Sequence, residues 1–394
     1  MIYLDNGATT FPKPDCVYEA MDQFARSGAV NAGRGAYRAA REAGKMVEET
    51  RELLISLLDA REQAEVAFSP SATIMLNQVI LGQTWREGDT AYVSPYEHNS
   101  ILRPLELARR HFGIAVRQLP LCGDGAIDLA AAEAMFEAAP PAFVAVSAVS
   151  NVTGYILPAR EIFRLAKRYK AFTLLDGSQA VGLVPLHFGQ LRADVVTFAG
   201  HKTLYGPFGI AGCYIKNKVD LNPVLSGGTG SRSTELEMPR RMPGKLECGS
   251  KDIVAIKGLN AALKWLPTVD PFQRERELMD YLLEKLRDIP GIHLYTAPSP
   301  QCQAGVISLN LEGFQCGEVA AILDERYDIA VRAGHHCAAL LHDHLHDQDF
   351  RGTVRVSLGC FNTRADADML AEGLRSMDRR QLKDISPDIL RGLC

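Results

Sequence analysis

Long apolar runs are missing from this chain: no stretch reaches the 18 residues that a membrane span needs, so no membrane is expected among its partners. An excess of positive charge is missing too. Lys and Arg number 43 against 47 Asp and Glu, a formal net charge of −4, which gives no basic field to hold nucleic acid. The nine cysteines are odd in number and show no CxxC spacing, the usage of reduced thiols in a cytoplasm. The opening MIYLDNGATT lacks a basic region followed by an apolar core, so no secretory leader is expected. Internal repeats and low-complexity linkers are also absent.

What remains is a chain of 394 residues, 47% hydrophobic and 23% charged, ordinary for a soluble globular protein with room for a large core. Its pattern alternates. AEVAFS, TAYVSP, IAVRQLPL, AFVAVSAVS, FTLLD, DVVTFAG and IAGCYIK read as strands, most of them apolar enough to be buried on both faces. Helical patterns such as SATIMLNQVILGQT and NSILRPLELARRHFG separate several of them. Such alternation predicts an α/β fold with a mainly parallel sheet covered on both sides. After IAGCYIK a stretch rich in Gly, Pro and charge, Leu225–Gly249, reads as an extended functional loop. The remainder, with GIHLYT, GVISLNL and TVRVSLG as strands, predicts a smaller α+β lobe. The expected division is an N-terminal segment 1–25 packing with the small domain, a large domain 26–267 and a small domain 268–394.

Ligands of open parallel α/β sheets sit beyond the carboxyl ends of the strands, so the residues delivered there matter most. AEVAFS hands over to Ser69, Ser71, Ala72 and Thr73 at a helix N-terminus, where hydroxyls and free N–H groups suit a phosphate. TAYVSP delivers Glu97, His98 and Asn99, and an imidazole there would stack on a flat ring or shuttle a proton. AFVAVSAVS delivers Asn151, Thr153 and Gly154. FTLLD ends in Asp176, followed by Ser178 and Gln179; a carboxylate at the end of an apolar strand is costly unless it meets a cation. DVVTFAG delivers His201 and Lys202, and a lysine desolvated at a strand end can lose its proton and condense with a carbonyl. Phosphate cradle, stacking ring, acid and amine together fit pyridoxal phosphate, with Lys202 as the imine-forming amine and Asp176 on the ring nitrogen.

The blocks YLDNGATTFPKP, NAGRG, EHNSILRPL, SNVTG, DGSQAVG, GHKTLYGPFG, GGTGS, RAGHHCA and RVSLGCFNT run nearly end to end. In them the chain resembles the class V aminotransferase family of fold-type I pyridoxal-phosphate enzymes, and within it the cysteine desulfurases and selenocysteine lyases. The resemblance implies that Lys202 is the Schiff-base lysine and that Asp176 partners the ring nitrogen. It further implies Gln179 on the phenolic oxygen, His98 stacked on the ring, and Thr73 and His201 on the phosphate. Asn151 and Arg355 would take the substrate carboxylate; a guanidinium on a rigid strand can grip one bidentately. Cys337 would be the nucleophile that takes sulfur from L-cysteine as a persulfide, leaving alanine, in a segment like that of the second group of desulfurases. A homodimer and a sulfur-acceptor protein or thiol are implied as well, with Ser250 and the GGTGS loop completing the neighbouring site.

Cys337 has His335, His336 and Arg332 nearby in sequence, cations that would favour its thiolate. A rival reading lives in the same stretch: His342, His344 and His346 of HDHLH, as a strand, would place three imidazoles on one face at metal-like spacing. The match of His335–Cys337 to a non-metal motif weighs against a metal. The same residues leave open a selenocysteine lyase, a different lyase or transaminase with the same cofactor, and a non-catalytic sulfur-relay module on this scaffold. The chain departs from the family at Ala199 and Ser250, where a serine and a threonine are usual, and in the run AALLH after Cys337.

Overall fold

A computed structural model describes residues 1–32, 35, 37–230 and 234–385. Gly33 and Arg34 of NAGRG and Ser231 of GGTGS lie outside the described residues. In chain order the strands are β1 (Ile2–Tyr3), β2 (Ala64–Ser69), β3 (Thr90–Val93), β4 (Ala115–Gln118), β5 (Pro141–Ser147), β6 (Phe172–Asp176) and β7 (Val195–Ala199). They continue as β8 (Ala211–Lys216), β9 (Ile292–Tyr295), β10 (Val306–Leu311), β11 (Ile329–Ala330), β12 (Arg332–Gly334) and β13 (Thr353–Ser357).

Seven strands form one sheet in the order β2-β8-β7-β6-β5-β3-β4. The β3, β4, β5, β6 and β7 pairings are parallel, while β8 runs antiparallel to both β7 and β2. Two reversals restore direction, so β2 ends at the same edge as β7. Side chains alternate between two buried clusters along each strand: Val144, Val146, Leu175 and Val196 face one, Phe143, Ala145, Leu174 and Val195 the other. Burial on both faces is why these strands read as continuous apolar runs. Helices such as Ala72–Leu81, Asn99–Phe112 and Ile253–Trp265 supply the covering layers.

A second, antiparallel sheet runs β12-β13-β10-β9. The helices Pro271–Arg287, Cys316–Tyr327 and Arg364–Arg375 close over it around Leu282, Leu309, Leu323, Val356 and Leu370. β1 pairs in parallel with β11, and Asp5 bridges to Ser357 at the end of β13. The first residues of the chain are thereby carried to the strand that holds Arg355. The strands β11 and β12 are two and three residues long, too short to leave a periodic signal. Among the described residues no helix is long and apolar enough to cross a membrane.

Candidate active site

The carboxyl ends of β2, β3, β5, β6 and β7 open onto a cavity. Its lining includes Ala72, Thr73, His98, Asn151, Asp176, Gln179, Ala199, His201 and Lys202, so nine residues that stand out in the sequence converge there. On the β2 side Ser71 caps the helix Ala72–Leu81, its hydroxyl accepting from Ile74 N–H at 3.2 Å. The first N–H groups of that helix have no partner within it and face the cavity as anion donors. Across from them His201 presents Nδ1, buried and without a partner. Its ring stacks on Phe208, with centroids 4.7 Å apart and planes 25° off parallel.

Asp176 is buried, and its Oδ1 accepts from Ser178 N–H at 3.0 Å, Ser178 Oγ at 2.6 Å and Thr197 Oγ1 at 3.2 Å. Those donors hold the carboxylate at the cavity floor. Burial pushes the Lys202 amine down to about 8, against the opposing pull of Asp176. An amine so placed exchanges its proton near neutrality. Burial, with Lys202 second, pushes the His98 imidazole down to about 4. Ser100 N–H donates to His98 Nδ1 at 3.0 Å, which leaves the hydrogen on Nε2. The ring is a neutral aromatic face. Thr73 Oγ1 lies 2.9 Å from Ser100 Oγ, which lies 2.8 Å from His98 Nδ1, a chain from phosphate side to ring side. Gln179 donates through Nε2 to Gly7 O at 2.7 Å and has a second amide hydrogen for a ligand.

Arg355 does not line the cavity but is bonded to Asn151, which does. Its Nη1 donates to Asn151 O at 3.3 Å and its Nη2 to Asp5 Oδ1 at 2.5 Å, while Nε is buried with no partner. Cys337 is exposed, on the turn after β12 rather than in the cavity wall. Its carbonyl accepts from Asn99 N–H at 2.7 Å, next in sequence to His98. Ser250 is exposed and outside the cavity. The eight described cysteines are all free.

Two expectations need correction. His336 is not a cation beside the thiol: it is buried, burial holds it well below its usual range, and its Nε2 lies 3.0 Å from both Thr353 O and Thr353 Oγ1. HDHLH is not a strand, since His342–Leu345 forms a helical turn in which His342 is buried while His344 and His346 are exposed. Among the described residues no three His, Cys, Asp or Glu side chains gather as a metal site.

Nothing in the local pattern singles out Lys13. Its Nζ donates to His201 O and to Thr10 Oγ1, both at 2.7 Å, and burial pushes it down to about 7. A lysine in FPKP reads as exposed until the fold closes the first turn over His201. Asp5 and Ser147 escape notice for the same reason: only folding brings them to Arg355 and Glu97.

A family model described as aminotransferase class-V matches residues 2–370. A probable cysteine desulfurase of Halalkalibacterium halodurans is 34% identical over 384 residues, 95% of this chain and 92% of that protein. A cysteine desulfurase of Escherichia coli is 31% identical, over 96% of this chain and 94% of that one. Among solved structures, the apo cysteine desulfurase of Thermococcus onnurineus superimposes with a TM-score of 0.88 at 30% identity, covering 95% of this chain and 94% of the other.

Proposed function

The chain belongs to the class-V aminotransferase family and has its fold-type I architecture, and from that premise we propose a pyridoxal-phosphate-dependent cysteine desulfurase with Cys337 as sulfur acceptor. The observation that carries the reading is the cavity itself. Anion donors from Ala72 and Thr73 face the orphaned His201 Nδ1, the carboxylate of Asp176 lies on the floor, and the amine of Lys202 titrates near neutrality. These residues fit the cofactor: Thr73 and His201 for its phosphate, Asp176 for its ring nitrogen, Gln179 for its phenolic oxygen, His98 for its ring face. When bound there, pyridoxal phosphate supplies an aldehyde that condenses with amines and a ring that draws electrons from the substrate's Cα.

The chain's own residues do the rest. Arg355 and Asn151 take the carboxylate of L-cysteine, the free Nε of Arg355 being a donor in waiting. Lys202 Nζ takes the Cα proton, and its lowered basicity makes it a base at neutral pH. Cys337 Sγ bonds to the substrate sulfur as the substrate's Cβ–S bond breaks, and the carbon skeleton leaves as alanine. The balance is one cysteine and one thiol giving one alanine and one persulfide. The sulfur then passes to an acceptor protein or small thiol.

A homodimer in the cytoplasm belongs to the same reading. Leu236, fully exposed on the long loop, and the exposed Ser250 support it as residues that a second copy would cover. The division into segments 1–25, 26–267 and 268–394 is also part of the proposal, supported by separate buried clusters around Val196 and around Leu282. The test is to incubate the pure, cofactor-loaded protein with cysteine, measuring alanine and the mass of the Cys337 peptide. Alanine with a 1:1 persulfide at Cys337, both lost in Cys337→Ala, is expected. Undiminished alanine formation by Cys337→Ala rejects the assignment.

A further inference from the structure

The turn that carries Cys337 is held in a costly backbone shape. His336 and Cys337 have φ of 48° and 57°, two left-handed residues in succession, and Ala338 N–H closes the turn onto His335 O at 2.9 Å. Positive φ at both central positions is the pattern of a type I′ turn, which favours glycine and asparagine rather than histidine and cysteine. Such a shape persists only where its surroundings enforce it.

Each carbonyl of the turn is taken by a separate donor. Asn151 Nδ2 holds His336 O at 2.8 Å, and Asn99 N–H holds Cys337 O at 2.7 Å; Asn151 lines the cavity, and Asn99 stands between the lining residues His98 and Ser100. The third donor has no part in the chemistry above. His342 Nε2 lies 2.9 Å from His335 O, and His342 Nδ1 lies 2.5 Å from Asp347 Oδ2. His342 is 5% exposed and Asp347 1%. A carbonyl only accepts, so Nε2 carries a hydrogen. The other nitrogen faces a carboxylate oxygen, so a proton lies between them on one or the other. The pair thus aims a fixed N–H at the carbonyl that closes the turn, and the His335 ring packs edge-on against His342, 4.8 Å between centroids.

We propose that His342, oriented by Asp347, is a positioning residue for Cys337: it locks the turn that presents the thiol to the substrate's sulfur. The proposal rests on the reading of Cys337 as sulfur acceptor. It predicts a loss confined to sulfur transfer, because Lys202, Asp176 and the phosphate cradle are held by other elements.

The experiment uses the cofactor-loaded protein and three variants. H342L combined with D347L removes both partners together, so neither is left buried and unpaired. H342Q is the milder change should the double variant fail to fold, and D347N keeps an amide N–H to donate to a bare Nδ1, so the imidazole hydrogen stays on Nε2. Loss of the clamp is expected to lower kcat for alanine formation from cysteine about tenfold or more, with KM within about twofold. Hydrogen exchange at the Ala338 amide, read by mass spectrometry, is expected to speed up by about tenfold in the same variants, and D347N to restore most of both. Unchanged exchange overturns the clamp; faster exchange with unchanged kcat overturns its role in positioning. If instead Cys337→Ala keeps full activity, the reading of Cys337 as sulfur acceptor fails while Ala338 exchange still reports on the clamp.

Discussion

Ser147 Oγ donates to Glu97 Oε2 at 2.8 Å, and Ser147 N–H donates to Glu97 Oε1 at 2.8 Å. Ser147 is also the register partner of Asp176 across β5 and β6. Two carboxyl groups, Asp176 at the end of β6 and Glu97 in the turn after β3, are therefore buried on either side of one serine at the end of β5. Burial pushes the Glu97 acid up to about 8, and the charge of Asp176 adds to the shift. Burial thus favours the neutral acid form of Glu97 at neutral pH.

A raised acid has a definite sign in pH-dependent stability. Between pH 4.5 and about 8 the native state holds a proton on Glu97 that the unfolded chain has released, so stability falls as pH rises through that window and levels above it. Glu97→Gln removes this loss. Urea unfolding of both proteins is expected to show the wild type losing more stability than the variant between pH 5 and pH 8, by roughly 2–4 kcal/mol. Parallel pH curves for the two would show that the acid is not held protonated.

Arg355 presents two engaged nitrogens and one free one, with Asp5 already on its edge. A lysine has a point charge in place of the planar fork. Arg355→Lys is expected to raise KM for cysteine by roughly 10- to 100-fold, with a smaller effect on kcat, because the lost bond is made to the unreactive end of the substrate. Steady-state alanine assays at varied cysteine check it; an unchanged KM places the carboxylate elsewhere.

The strand ends are legible because burial on both faces forces apolar runs such as VVTF, and whatever polar residue follows them stands out. Lys202, Asp176 and His98 stand out in that way, and all line the cavity. Lys13, Asp5 and Ser147 do not, because their roles come from contacts between distant segments that no local pattern records. Polarity also misleads. His342 and Asp347 sit in the charged run HDHLHDQD, which reads as solvated or metal-like, yet both are buried. His336 reads as a cation from its neighbourhood, but burial keeps it neutral. Sequence shows which groups are ionisable; only the fold decides which ionise.

Phe208 is 65% exposed, yet its ring stacks on His201, whose Nδ1 faces the phosphate side of the cavity. Stacked rings are worth about 0.5–1.5 kcal/mol beyond area. Phe208→Ala is expected to weaken pyridoxal phosphate binding by about 2- to 10-fold, and Phe208→Tyr to leave it nearly unchanged. Equilibrium dialysis of the cofactor against each variant measures this. Equal affinity for Ala and Phe at this position would mean that the imidazole is held without the stack.

Lys202 gives the opposite sign to Glu97. Its amine is pushed down to about 8 from 10.5 by burial, so between those pH values the unfolded chain binds a proton that the native state lacks. Stability then rises with pH through that window, and at neutral pH the native state bears the full cost of a charged, desolvated amine. Lys202→Met removes the amine and keeps an apolar stem of similar length. In cofactor-free protein the variant is expected to be more stable than wild type at pH 7, by roughly 1–3 kcal/mol, with the difference shrinking as pH approaches 10.5. Urea unfolding across that range is the measurement. A variant less stable than wild type at pH 7 would mean that the attraction of Asp176 outweighs burial, and the amine would then be too basic to take a proton from the substrate.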